Sequence, residues 1–145
     1  MSDTFDRIDP EAAKSTLELR VRFAETDLMG IVHHANYLLY FEAGRVEWLR
    51  RRGVAYIDWA ARGIHLPVVE AHVHYKSPAR FDDRLVVETS LVELRSVSLK
   101  YGYRIHRDGA VIAEGYSRLG CIDANHKLMK FSSDMRAILL SAERA

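Results

Sequence analysis

The feature that most constrains this chain is a change of hydrophobic period. Leu38, Phe41, Arg45, Trp48 and Leu49 recur at three- and four-residue spacing, the period of an amphipathic helix. The spacing predicts a long helix from about Asn36 to Arg51, with Glu42, Glu47, Arg50 and Arg51 at polar positions and Gly53 placed to end it. Before it, "LELRVRF" alternates: Leu17, Leu19, Val21 and Phe23 point one way, Glu18, Arg20 and Arg22 the other, the period of a half-buried strand. From Ile64 onward the runs "HLPVVEAHVHYKS", "RLVVETSLVEL", "VSLKYGYRIHR" and "AVIAEGYSRLGCID" read as strands. Asp108-Gly109 between two of them is a two-residue hairpin signal. A short helix through "YIDWAARG", a turn at Asn125 to Lys127 and a closing helix in "SSDMRAILLSAER", capped by serine or aspartate, complete the reading. A strand, a long helix and then four or more mostly antiparallel strands make an α+β domain in which the sheet wraps the helix. Few polar residues interrupt the first half of that helix, so it is expected to be largely enclosed. Gly44 inside it costs roughly 1 kcal/mol against alanine, which calls for a close backbone approach.

The remaining bounds concern what the chain does not do. Its 145 residues, 48% apolar and 28% charged, suit one domain over 1–145 with a polar leading segment of about the first 14. A net charge of +1 gives no general attraction to nucleic acid or anionic lipid. The lone cysteine, Cys121, excludes an internal disulfide and suits a reducing compartment. No apolar run approaches the ~20 residues of a membrane span. The opening "MSDTFDRIDPEAAKS" has no basic flank leading into an apolar block. A cytoplasmic location is the expectation.

Chemistry concentrates in "ETDLMGIVHHANYLLYFEAGRVEWLR", from Glu25 to Arg50. A carboxylate at Asp27, just ahead of a helix, can serve as general base or nucleophile. The helix start offers unpaired N–H groups and partial positive charge to an oxyanion forming on a carbonyl. Gly30 permits a tight bend and close approach of substrate to the backbone. Ile31 and Val32 exclude water, and His33-His34 supply a donor or a second acid/base group. That is an acyl-transfer site. The competing reading makes Asp27 an Asx-turn residue and the histidines cap residues, and the residues alone leave both open. His72 and His74 share a strand face at a spacing that suits a metal, yet no cysteine or carboxylate cluster accompanies them, and no metal is expected. Glu42 is a further carboxylate, well inside the helix, where a surface or ion-paired role fits better. Trp48, Trp59 and Cys121 read as packing residues.

Asp27, Gly30-Ile31-Val32, His34-Ala35-Asn36-Tyr37 and "YFEAGRVEWLR" together closely resemble the 4-hydroxybenzoyl-CoA thioesterase family of hotdog-fold proteins, and most of all its Tol-Pal-associated acyl-CoA thioesterase branch. The likeness extends through "YKSPARFDDRLVVET", "RSVSLKYGYRI" and "GCID". It implies a hotdog fold that hydrolyses an acyl- or aryl-CoA thioester to the acid and free coenzyme A, with no cofactor, coenzyme A being part of the substrate. It implies Asp27 as the attacking or water-activating carboxylate. His34 polarises the carbonyl through its backbone N–H, with its imidazole as a possible aid. Gly30, Ile31, Val32, His33, Asn36 and Tyr37 shape the site. His33 departs from the aromatic residue common among relatives. Arg95, Ser96 and Ser98 match the strand start that contacts coenzyme A phosphates, where a plain hairpin edge is the competing reading. Arg80, Arg118, Lys127 and Lys130 are further candidate cations. The family implies a homodimer or homotetramer with the site at the dimer seam. Two alternatives keep the fold: an acyl-carrier-protein thioesterase, and a non-catalytic acyl-CoA-binding or scaffold protein.

Overall fold

A computed structural model describes residues 8–145; residues 1–7 of the leading segment lie outside the described residues. The chain runs β1 (Lys14–Arg20), α1 (Asn36–Arg50), α2 (Tyr56–Ala61), β2 (Val68–Tyr75), β3 (Arg84–Leu94), β4 (Ser98–Arg107), β5 (Ala110–Gly120) and α3 (Ser133–Leu139). The strands form one antiparallel sheet in the order β1-β3-β4-β5-β2. The helix α1 packs across its inner face, chiefly over β1 and β3. This is the wrapped α+β architecture expected. Among the described residues no helix is long and apolar enough to cross a membrane.

Local chemistry fixes the turns. Asp108 and Gly109 both take positive φ, 51° and 82°, between the paired residues Arg107 and Ala110, the geometry of a two-residue hairpin. Ser132 caps α3 by accepting a hydrogen bond from the Met135 N–H at 3.1 Å. At Gly44 an added Cβ would lie 2.5 Å from Thr89 Oγ1 and 2.9 Å from Val87 Cγ1. The glycine therefore lets α1 sit directly on β3.

The core joins one helix face to the inward strand residues. Trp48, Phe41, Leu85, Leu91, Leu94, Leu99, Tyr101 and Ile105 are all buried. Phe41 stacks on Tyr103 at 4.2 Å, and the Trp48 indole N–H donates to the Ala13 carbonyl at 2.8 Å. The buried Arg52 donates to Ser15 Oγ and to the Trp48, Ala12 and Ser141 carbonyls. Its charge is spread over four acceptors that tie both chain ends to the end of α1.

Two expectations require correction. The first strand ends at Arg20, not Phe23. Val21 keeps its buried place, but Phe23–Glu25 coils into a single 3-10 turn that swings Phe23 outward, 76% exposed, against Phe81. The second correction concerns enclosure of α1. Leu38 and Leu39 in its first half are 43% and 56% exposed. The helix lies chiefly over β1 and β3, so the edge strand β2 and the helix flank beside it are covered only in part. Val73 packs on the core and Tyr75 on Tyr37, but Val68, Val69 and Tyr75 remain exposed.

Candidate active site

The Asp27 segment is a miniature hairpin. Thr26 and Val32 form an antiparallel bridge, the Asp27 N–H donates to the Ile31 carbonyl at 2.9 Å, and the Gly30 N–H donates to the Asp27 carbonyl at 3.0 Å. Gly30 takes φ +76°, a conformation glycine adopts without Cβ strain. The Met29 N–H donates to Asp27 Oδ1 at 2.8 Å, so the Asx turn is real. It uses one oxygen. Among the described residues no side chain or amide donates to Oδ2. The structure thus joins the two readings of Asp27: the turn that holds the carboxylate leaves half of it available. Val32 is buried, its N–H bonded to the Ala79 carbonyl at 2.8 Å, while Ile31 is half-buried and the tip residues Leu28 and Met29 stand in solvent.

From this hairpin the chain passes straight into the start of α1. His33 Nδ1 accepts from the Ala35 N–H at 3.2 Å, and the His33 carbonyl accepts from the Asn36 N–H at 2.9 Å. His33 therefore closes the turn that leads into α1, whose N-cap is Ala35, a polar task that suits a histidine here. The two imidazoles stack at 4.3 Å. Among the described residues nothing accepts from the His34 N–H, which lies one residue ahead of the Ala35 N-cap of α1. The His34 ring is exposed and meets Tyr75 edge-on at 6.5 Å, and the Tyr75 hydroxyl donates to the His34 carbonyl at 2.9 Å. Tyr37 is buried and edge-on to Tyr75 at 5.1 Å, and burial raises its phenol above the usual range. Asn36 does not face the carboxylate. Its Nδ2 donates to the Glu25 carbonyl at 2.9 Å.

Two residues of this site carry no role in the sequence reading: Glu25 and Tyr75. Glu25 is 8% exposed. Its carboxylate accepts from the Arg22 N–H and Nε, each at 2.8 Å, and from the Tyr40 hydroxyl at 2.9 Å. Burial pushes this carboxyl upward, but the bonds from Arg22 and Tyr40 outweigh it and hold it below the ordinary carboxylate value. The spacing of Arg22 and Glu25 was a local signal for that pair. Tyr75 meets His34 across 41 positions, a contact no local pattern carries.

Arg95, Ser96 and Ser98 stand elsewhere. They form the β3–β4 turn, where the Arg95 N–H donates to the Ser98 carbonyl, the Phe131 N–H to the Ser96 carbonyl, and Arg136 to the Arg95 carbonyl. The hairpin that carries Asp27 lies towards the far end of β4: its Val32 N–H donates to the Ala79 carbonyl, and Arg107, the last residue of β4, donates to the neighbouring Pro78 carbonyl. β4 has 10 residues, so about 30 Å separates the two groups within one chain. The Arg95 guanidinium pairs with Glu93 at 3.0 Å, and Arg118 pairs with the same carboxylate at 2.7 Å. Burial alone would raise Glu93, but these two cations bring it below the usual value. Glu42 is exposed on α1, 3.8 Å from Arg45. His72 stacks on Tyr116 and His74 lies beside Glu114 on the outer sheet face; among the described residues no three metal-ligating side chains gather. Burial pushes the Cys121 thiol up to about 11, in keeping with a packing role.

The sequence profile of the thioesterase-like superfamily matches residues 21–139. The chain belongs to that superfamily. YneP of Bacillus subtilis, provisionally named an acyl-CoA thioesterase, is 37% identical over 110 residues, 75% of this chain and 80% of its own. YbgC of Escherichia coli, named an acyl-CoA thioester hydrolase, is 31% identical over 106 residues, 72% of this chain and 79% of its own. The crystal structure of protein TT1821 from Thermus thermophilus superposes with a TM-score of 0.84 at 41% identity, covering 86% of this chain and 96% of that one. The fold is the hotdog fold, and the chain is an enzyme of the thioester hydrolase class.

Proposed function

We propose that this protein hydrolyses acyl-CoA thioesters with Asp27 as general base or nucleophile. The observation that carries the reading is that one short segment holds a carboxylate bonded through one oxygen and, just ahead of α1, an amide at His34 with no acceptor among the described residues. In the base route Asp27 takes a proton from water as the water oxygen bonds to the thioester carbon. The carbonyl oxygen becomes an oxyanion that accepts a hydrogen bond from the His34 N–H. Collapse breaks the C–S bond, and the departing thiolate receives the proton from Asp27. In the nucleophilic route the carboxylate attacks first and the C–S bond breaks, expelling the coenzyme A thiolate and leaving a mixed anhydride. Water then opens the anhydride to the free acid and the restored carboxylate, and its proton goes to the thiolate. Neither route requires a bound cofactor. The relatives named for acyl-CoA thioester hydrolysis favour coenzyme A as carrier.

A second copy of the chain belongs to this reading. β1 closes one sheet edge with outward charges at Lys14, Glu18 and Arg20, whereas the β2 edge exposes Val68, Val69 and Tyr75, a surface that favours strand pairing. Antiparallel pairing of two β2 strands about a two-fold axis reverses their ends. Ser98 lies level with Gly120, beside Leu119 and its β2 partner Val68. The partner's β3–β4 turn would therefore approach Asp27, which restores a phosphate-binding role to Arg95, Ser96 and Ser98.

The test is thiol release from short, long and aromatic acyl-CoAs, and from the same acyl groups on acyl-carrier protein, by wild type and Asp27→Asn. Turnover by wild type and its loss in a folded Asp27→Asn protein are expected. Turnover only from the protein carrier would change the substrate, and equal turnover by both proteins would end the catalytic reading of Asp27.

A further inference from the structure

Glu25 is a charged side chain placed where charge is expensive. A buried carboxylate persists when several donors meet it, and here three do: the Arg22 N–H, Arg22 Nε and the Tyr40 hydroxyl. Its main chain is engaged as well, since its carbonyl accepts both the His33 N–H at 2.8 Å and Asn36 Nδ2 at 2.9 Å. Asn36 and Tyr40 are one helical turn apart on α1, so they project from the same helix face. That face is docked on Glu25 twice, once through its backbone and once through its carboxylate. Thr26 is extended, with φ −96° and ψ 160°. With Thr26 extended between them, Asp27 follows Glu25 by two chain steps, roughly 6.5 Å. One residue therefore sets two things at once: where the first turn of α1 lies, and where the strand carrying Asp27 lies.

We infer that Glu25 is a positioning residue of the reaction, aligning the Asp27 carboxylate with the His34 amide without touching substrate. The inference rests on the proposed role of Asp27. Of the groups that meet the Glu25 side chain, Arg22 is a cation and Tyr40 a neutral phenol, and burial with the bond to Glu25 keeps that phenol protonated. Only a full carboxylate accepts from all three donors; an amide in its place would turn one of its own N–H groups towards Arg22 or Tyr40. Glu25→Gln then keeps the volume and lets the hairpin drift against the helix.

The experiment is a double-mutant cycle on the full chain, measuring acyl-CoA hydrolysis at a temperature where melting curves show each variant folded. Glu25→Gln is expected to lower kcat by about tenfold to a hundredfold, as small misplacements of a reacting group do, with KM changed by less than about threefold. In the Asp27→Asn background the same substitution should change the residual rate by less than about twofold, because there is no longer a carboxylate to place. A merely structural role would lower both backgrounds by the same factor. That result, or a Glu25→Gln kcat within about twofold of wild type, overturns the inference. Should Glu25→Gln fail to fold, Tyr40→Phe decides. Removing one donor should give the same background-dependent loss at a smaller factor, and unchanged kcat overturns the proposal. If Asp27→Asn itself keeps full turnover, the catalytic reading fails first. If only Asp27→Asn loses activity, the failure belongs to Glu25 alone.

Discussion

Asp27 offers lone pairs on two oxygens, and its turn consumes a single hydrogen bond on Oδ1. An asparagine preserves that acceptor, so Asp27→Asn should melt within a few degrees of wild type while kcat falls roughly 10²- to 10⁴-fold, the usual worth of a general base. Matched melting curves and steady-state hydrolysis check both halves. His34 presents the opposite case, because the group proposed to act belongs to the backbone. Its exposed ring only stacks on His33 and meets Tyr75, so His34→Ala should cost less than about tenfold in kcat. A loss equal to that of Asp27→Asn would bring the imidazole into the reaction. Glu25 adds a pH signature to stability. Its folded value lies below the ordinary carboxylate range, so its contribution is fully present above about pH 4.3 and is lost as pH falls through the lower folded value. The melting difference between wild type and Glu25→Gln should therefore shrink on acidification below that point. A difference that widens would reverse the assigned sign.

At the level of elements, α1 and β3 are in contact because Gly44 has no side chain. Gly44→Ala gains roughly 1 kcal/mol of helix propensity. Its Cβ, however, falls on Thr89 and Val87, whose branched side chains have little rotamer freedom, and overpacking of this kind costs about 1–3 kcal/mol. A net loss of stability is expected in chemical denaturation, and a more stable Gly44→Ala would mean the helix can slide away from the sheet. The two sheet edges differ in the same physical terms. β1 alternates charged outward residues with Leu17 and Leu19, whereas β2 leaves apolar side chains exposed along both its own edge and the neighbouring flank of α1.

For the whole molecule, that partly uncovered β2–α1 flank predicts assembly. Light scattering at micromolar concentration should give at least twice the 16.6 kDa chain mass, and a mass of one chain would remove the dimer-seam site. The length of β4, roughly 30 Å, between the Arg95 turn and the Asp27 hairpin makes a further demand. If coenzyme A spans from the partner's turn to the carboxylate, Arg95→Ala should raise KM more than it lowers kcat, since it removes binding common to ground and transition states. Unchanged KM in an intact dimer would leave Arg95 as the Glu93 partner only.

The amino-acid order by itself determined whatever depends on near neighbours. The long helix, the Asp108-Gly109 hairpin, the Ser132 cap and the tight bend at Gly30 each arise from side-chain period or from backbone freedom within a few residues, so the sequence carried them legibly. The motif from Asp27 to Tyr37 likewise pointed to the thioesterase-like superfamily, because a carboxylate, a bend and a helix start are contiguous in the chain. What only the tertiary structure decided depends on groups distant in sequence. The Tyr75 hydroxyl reaches His34 across the β2 seam, and Tyr40 reaches Glu25 from a helix that starts 11 positions later. The outward turn of Phe23 and the exposure of Leu38 and Leu39 belong here too. Alternation and periodicity state which residues share a face, but not whether anything covers it. That is settled by where the neighbouring strands run, and along β2 the single chain provides only partial cover.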